Sequence, residues 1–322
     1  MSPRPSRVVP WVAAVTALIL SAGTVSTAPA VLFRLADHGG DDHGDGSLRY
    51  PLRDDLEPGD LDLLSFAALQ ERDGTTFEAT FARPIRRADR RVIDAGGATL
   101  DSIARLGFYT FNIDVYIDTD RREGSGRTAL LPGRLAEAEP GSAWERVVCL
   151  TPRPYVAKSQ LARIETRAAE QALRASMPRV DDHEVDALKA TIKGEINARV
   201  FFPTRVSVVG ASARFFVPAS FLGGTARDSW GYIVVVSGAE LELKLNLGTI
   251  FGFGERPARL MILPIASGLR RESFAGRQDD PLQPPLVDII VRPRTTQEAV
   301  LKDYDIQTER PVMLTAVVPA ER

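Results

Sequence analysis

The sequence predicts an antiparallel β-sandwich carrying an inserted α-helical hairpin. Three observations lead there. Short apolar runs with period-two alternation recur along most of the chain, separated by Gly, Pro, Asn and Asp turn signals. One stretch, residues 159–200, switches to helical spacing. About ten short strands of this kind suit two stacked sheets, and no internal repeat or low-complexity linker interrupts them.

The elements follow in order. Arg4 and Arg7 precede an uncharged run from Val8 to Phe33, densest in apolar residues from Trp11 to Leu20. Ala28-Pro29-Ala30 has the small-x-small form of a signal-peptidase site, so residues 1–30 read as a signal peptide and the chain as exported to the periplasm, cell surface or medium. The alternative is an uncleaved membrane anchor, for which about 20 apolar residues suffice. Residues 31–322 then form one domain.

The acidic stretch comes next. Ala36 to Gly46 holds Asp37, Asp41, Asp42 and Asp45, together with His38, His43 and four Gly. Such a segment makes neither helix nor core strand. Gly59 to Phe66 alternates Asp60 and Asp62 with Leu61 and Leu63, a strand pattern. Asp73-Gly74 marks a turn into a second strand, Phe77 to Phe81, and an Arg-rich loop runs from Arg83 to Ala98. The strongest strand ends at Asp118. It sets Phe111, Ile113, Val115 and Ile117 on one face and Asn112, Asp114, Tyr116 and Asp118 on the other. Asp118-Thr119-Asp120 opens the turn that follows, and Trp144 to Leu150 reads as another strand.

Leu161, Ile164, Ala168 and Ala172 recur at helical spacing, as do Val185, Leu188, Ile192 and Ile196. Asp181 stands three before Glu184 in a capping-box arrangement. These stripes predict two helices docked on the sheet, or alternatively a surface for a partner. Strands resume at Val206–Val209, Ala213–Val217, Tyr232–Val236, Leu241–Leu247, Arg259–Ile265, Leu286–Val291 and Val312–Val318, with a short helix at Gln297–Leu301.

Composition excludes some functions. A formal charge of −2 argues against a nucleic-acid partner, which usually demands a basic face. The single cysteine, Cys149, permits no intrachain disulfide and lies in an apolar strand, where a thiol is inert. No Gly-x-Ser-x-Gly, His-Glu-x-x-His or phosphate-cradling Gly loop is present, so the chain reads as non-catalytic.

Several stretches, in this order, resemble one family. They are Gly40-Asp-Asp-His-Gly-Asp-Gly46 with Tyr50-Pro51, Gly59-Asp60-Leu61, Asp114-Val-Tyr-Ile-Asp118, Val217-Pro218 before Leu222-Gly223, Trp230-Gly-Tyr232, Asp279-Asp280, Leu286-Val-Asp288, and Gln297 with Leu301. The resemblance is to the surface-layer-homology-like, DOMON-like C-terminal module of glucodextranase and archaeal amylopullulanases, over roughly residues 35 to 305. It implies a carbohydrate-binding-module-like β-sandwich that attaches to polysaccharide or to the cell surface without catalysing a reaction.

Two site candidates follow from the residues. A calcium ion wants six to eight oxygens on a flexible backbone, and Asp37, Asp41, Asp42 and Asp45 offer several, with Asp118 and Asp120 approaching from a strand end. The alternative is a solvated turn whose Asp side chains bond local amides. Sugar rings stack on open aromatic faces. Trp230 and Tyr232 lead the candidates, followed by Tyr109 and Tyr116, against the alternative that Trp230 packs the core.

Overall fold

The computed structural model describes residues 29–92, 97–177, 181–241, 259–277 and 280–321. Among them lie fourteen strands: β1 (Val31–Ala36), β2 (Leu63–Glu71), β3 (Gly74–Phe81), β4 (Phe111–Asp118), β5 (Ala136–Ala138), β6 (Arg146–Leu150), β7 (Val200–Phe201), β8 (Val206–Val209), β9 (Ser212–Pro218), β10 (Gly231–Gly238), β11 (Ile265–Ala266), β12 (Phe274–Ala275), β13 (Asp288–Ile289) and β14 (Val312–Leu314). Two five-stranded sheets form the sandwich, in the orders β1-β2-β3-β9-β8 and β13-β10-β4-β6-β7. Every pair in the first sheet is antiparallel. In the second only β6 and β7 run parallel.

Alternation puts the core between the sheets. Phe111, Ile113, Val115 and Ile117 of β4 meet Phe66, Phe77, Phe81 and Phe215 of the facing sheet in one cluster. Burying each such side chain is worth about 1.5–3 kcal/mol. The β2–β3 hairpin closes through Arg72 and Asp73, and Gly74 already pairs in β3. Gly74 has no room for a side chain. A Cβ there would sit 2.2 Å from the Val217 carbonyl of β9.

The other face of β4 is enclosed as well. Asn112, Asp114, Tyr116 and Asp118 are all buried. A third layer covers the outside of the second sheet, built from the helical hairpin, the β5–β14 pair and the chain around Leu260. A strand enclosed on both sides carries polar groups only where each finds a partner.

The hairpin helices run from Pro154 to Ser176 and from Asp182 to Arg199, close to the predicted insertion. The second is capped as its sequence suggests. Glu184 N–H donates to Asp181 Oδ1 at 2.8 Å, and Asp181 N–H donates to Glu184 Oε2 at 3.0 Å. Ala157, Leu161, Ile192 and Ile196 dock on the sheet beside Val147 and Cys149. Ala168 and Ala172 are exposed, so the first stripe docks only near its start. Among the described residues of the hairpin, the exposed large apolar side chains are Tyr155 and Met177, at opposite ends of one helix.

Two strand expectations shift. Asp60 and Asp62 lie in a turn before β2 rather than in a strand. Of the run Leu286–Val291, only Asp288 and Ile289 pair with β10. Residues 1–28 and most of the Leu241–Leu247 run lie outside the described residues. Among the described residues no helix is long and apolar enough to cross a membrane.

Candidate functional site

The acidic stretch leaves β1 at one edge of the first sheet and crosses to β13, at the edge of the second. Backbone bonds fix its path: Asp37 N–H to Leu64 O at 2.9 Å, Gly44 N–H to Val287 O at 2.9 Å, and Gly46 N–H to His43 O at 2.9 Å. Gly44 has φ +58, and a Cβ there would stand 2.7 Å from the Leu286 carbonyl, so the loop approaches β13 only because this residue is glycine. Gln297 pins the crossing. Its side-chain amide donates to the carbonyls of Asp41, Gly44 and Val287, and its oxygen accepts from Ile289 N–H.

The four loop carboxylates have different roles. Asp42 accepts from the Tyr50 hydroxyl and from Gly59 N–H. Asp45 accepts from Ser47 N–H and Oγ and from the Gln283 amide, with Arg277 at 3.5 Å. These two anchor the loop, Asp45 in part through a local amide and Asp42 through groups farther along the chain. His38 is exposed and His43 half-buried.

Asp41 behaves differently. Oxygens of Asp41, Asp62 and Asp288 lie within 4.8 Å of one another. Asp62 is held just before β2, where its Oδ2 accepts from Gly40 N–H at 2.8 Å. Asp288 begins β13, and its Oδ2 accepts from Leu63 N–H at 2.6 Å, a bond from one sheet to the other. Asp288 is fully buried and Asp62 4% exposed. Burial, followed by the nearby Asp37, Asp41 and Asp62, pushes the Asp288 carboxyl well above the usual range. Burial and then Asp62 raise Asp41, and burial is the main cause of the rise at Asp62.

Asp62 and Asp288 were not among the expected ligands. The signal for Asp288 was present: a lone charge inside the apolar run Leu286 to Val291 is rare unless something neutralises it. Asp62 was hidden by a false strand alternation.

Asp118 and Asp120 do not approach this loop. Asp288 pairs beside Val236, which faces Ile113, whereas Asp118 faces Gly231. Five residues along β4 separate the two ends, roughly 17 Å at ~3.3 Å per residue. Asp118 and Asp120 instead gather with Glu145. There Asp118 accepts from Arg121 N–H, Asp120 from Arg122 N–H and Ser125 Oγ, and Glu145 from Thr119 N–H. Those bonds shape the turn, and the three carboxylates keep oxygens within 4.8 Å of one another.

The aromatic candidates are corrected as well. Trp230, Tyr232, Tyr109 and Tyr116 are all buried, none more than 6% exposed. Trp230 and Tyr232 belong to the core between the sheets, and the Tyr232 hydroxyl donates to Arg227 O at 2.7 Å. Tyr116 packs edge-on to Trp144 under the third layer. No flat ring face is open to a sugar at these positions.

An open cleft of about 210 Å³ lies where β10 ends, lined by Arg53, Asp55, Arg91, Glu240, Leu263 and Arg271 among others. Arg53 Nε donates to Asp55 Oδ1 at 2.5 Å and Arg91 to Asp55 Oδ2 at 2.6 Å. Burial alone would raise the Asp55 carboxyl, but the hydrogen bonds and charges of Arg53 and Arg91 outweigh it and hold the group at about 2. The folded value lies below the unfolded one, so the stabilisation is present above pH ~4 and fades as pH falls through 2. Asp55→Asn therefore costs about 2 kcal/mol at pH 6, and the gap to wild type closes near pH 2. Denaturant unfolding at both pH values reads this. An unchanged gap at low pH would rule out the ion pairs as its source.

Residues 32–316 match the family model described as the C-terminal binding-module, SLH-like, of glucodextranase. No curated protein matches the chain.

Proposed function

We propose, since the chain belongs to the family of SLH-like C-terminal binding modules of glucodextranase, that it is a non-catalytic module binding carbohydrate, in particular polysaccharide of the cell envelope. Family membership across residues 32–316 is the observation that carries this reading. Export accords with it: the apolar N-terminal run and Ala28-Pro29-Ala30 would send the chain to the compartment where such polymers lie.

With the aromatic candidates buried, the cleft beside Asp55 is the place for the ligand. Binding residues tend to gather on loops held by a rigid scaffold, and this cleft draws on loops at one end of the sandwich. Guanidinium forks donate paired hydrogen bonds to vicinal hydroxyls or to a sugar carboxylate. Asp55 occupies one edge of Arg53 and fixes Arg91 at the cleft wall, which lowers the ordering cost of binding.

The test is co-sedimentation of the purified chain with insoluble glucans and cell-wall polysaccharide, followed by titration calorimetry with soluble fragments. Binding to at least one polymer is expected. Arg271→Ala, at the cleft wall, should weaken it about tenfold, the loss of roughly one hydrogen bond to a polar ligand. Retention by none of these polymers would overturn the carbohydrate reading. Binding unaffected by Arg271→Ala would move the ligand away from the cleft.

A further inference from the structure

We propose that Asp41, Asp62 and Asp288, with Asp37 beside them, hold a divalent cation of the hard, oxygen-seeking class, calcium above all, which clasps the edges of the two sheets together. This is independent of the carbohydrate reading. It rests first on the convergence of three carboxylates from three separate segments within 4.8 Å. It rests next on unmet capacity. Oδ1 of both Asp62 and Asp288 is buried with no hydrogen-bond donor, and so is Oδ1 of Asp41. Among the described residues no Lys or Arg pairs with any of the three. Carboxylates this close repel one another wherever more than one is ionised. A fold that assembles three such groups needs a neutralising partner. One shared proton removes a single charge, and it leaves the remaining oxygens without donors.

The donor set selects the ion. All three ligands are carboxylates, which suit calcium, magnesium or manganese rather than zinc or copper. Their origins define the consequence. Asp62 precedes β2 of the first sheet, Asp288 opens β13 of the second, and Asp41 comes from the loop between them. A bound ion joins both sheets and the crossing loop at one point, beside the bond from Leu63 N–H to Asp288. Asp42 and Asp45, spent on holding the loop, then serve as supports of its shape.

The experiment is thermal unfolding of the full chain after chelator treatment, with and without calcium chloride at about 10 mM, above the 10⁻⁴–10⁻³ M dissociation range of extracellular modules. Calcium should raise the melting temperature by about 5 °C. Asp62→Asn and Asp288→Asn should abolish that rise, while Asp120→Asn at the other cluster keeps it. Titration of the wild-type chain by calorimetry reads the site even where a variant fails to fold, with a stoichiometry of one expected. Equal melting temperatures with chelator and with calcium, magnesium or manganese would overturn the proposal, as would a calcium response that survives Asp288→Asn.

Discussion

Arg134→Met lowers the unfolding free energy by about 3–5 kcal/mol, the expected result of breaking a fully buried ion pair from one side. Arg134 and Asp114 are at most 1% exposed. Arg134 Nε donates to Asp114 Oδ2 at 2.7 Å and Nη2 to Oδ1 at 3.3 Å, while Nη1 donates to the carbonyls of Leu260 at 2.6 Å and Pro132 at 3.1 Å. The guanidinium thus ties β4 to two loops of the third layer. Methionine replaces its bulk but leaves a carboxylate sealed in the protein with no cation. Chemical denaturation measures the loss, and the melting temperature should fall by about 10 °C. The double variant Arg134→Met, Asp114→Leu should recover much of the deficit, since it removes the stranded charge. A single-variant cost under 1 kcal/mol would mean that water reaches Asp114.

That pair also shows where sequence reading stopped. The inner face of β4 was legible because Phe111, Ile113, Val115 and Ile117 alternate without exception. Its outer face was not, because Asn112 and Asp114 look solvent-facing until the third layer is known. That layer is assembled from segments far apart in the chain, such as β5 and β14, which pair in parallel with no local signal. The hairpin was readable from purely local rules, its stripes and its Asp181 cap. Pairing β3 with β9, across more than a hundred residues, was beyond any local rule.

The acidic site divides in the same way. Density of Asp marked the loop, yet density does not separate ligands from anchors. Asp42 found Tyr50 eight positions on, and Asp45 found Gln283 on a distant loop. Buried oxygens without donors belong to Asp41 and Asp45 and also to two residues outside the dense stretch, and carboxylates of Asp41, Asp62 and Asp288 converge. An isolated carboxylate in an apolar run marked a member of the converging cluster as well as four in a row did. Aromatic candidates failed for a related reason: Trp and Tyr mark core positions as readily as open surfaces, and only the packing decides.

Gln297→Leu should cost about 3 kcal/mol and loosen the acidic loop alone. The side chain is 1% exposed on a short helix, Gln297–Leu301, started by Thr296. It donates to Asp41 O at 2.5 Å, Gly44 O at 3.1 Å and Val287 O at 3.1 Å, and accepts from Ile289 N–H at 2.7 Å. Leucine fills nearly the same volume but leaves Gly44 O and Ile289 N–H unmet, while Val287 O keeps the Gly44 N–H and Asp41 O keeps the His43 N–H. Each unmet buried group costs about 1–3 kcal/mol. The sum is reduced here because the loop has a surface side and can open to water. The loss is therefore local. Hydrogen exchange should show amides of residues 43–48 losing protection while those of β4 keep theirs. Gln297→Glu should be worse, because it sets a carboxylate against three carbonyls beside an already acidic cluster. Equal loss of protection across both sheets would show instead that Gln297 supports the whole sandwich, and that the loop has no stability of its own to lose.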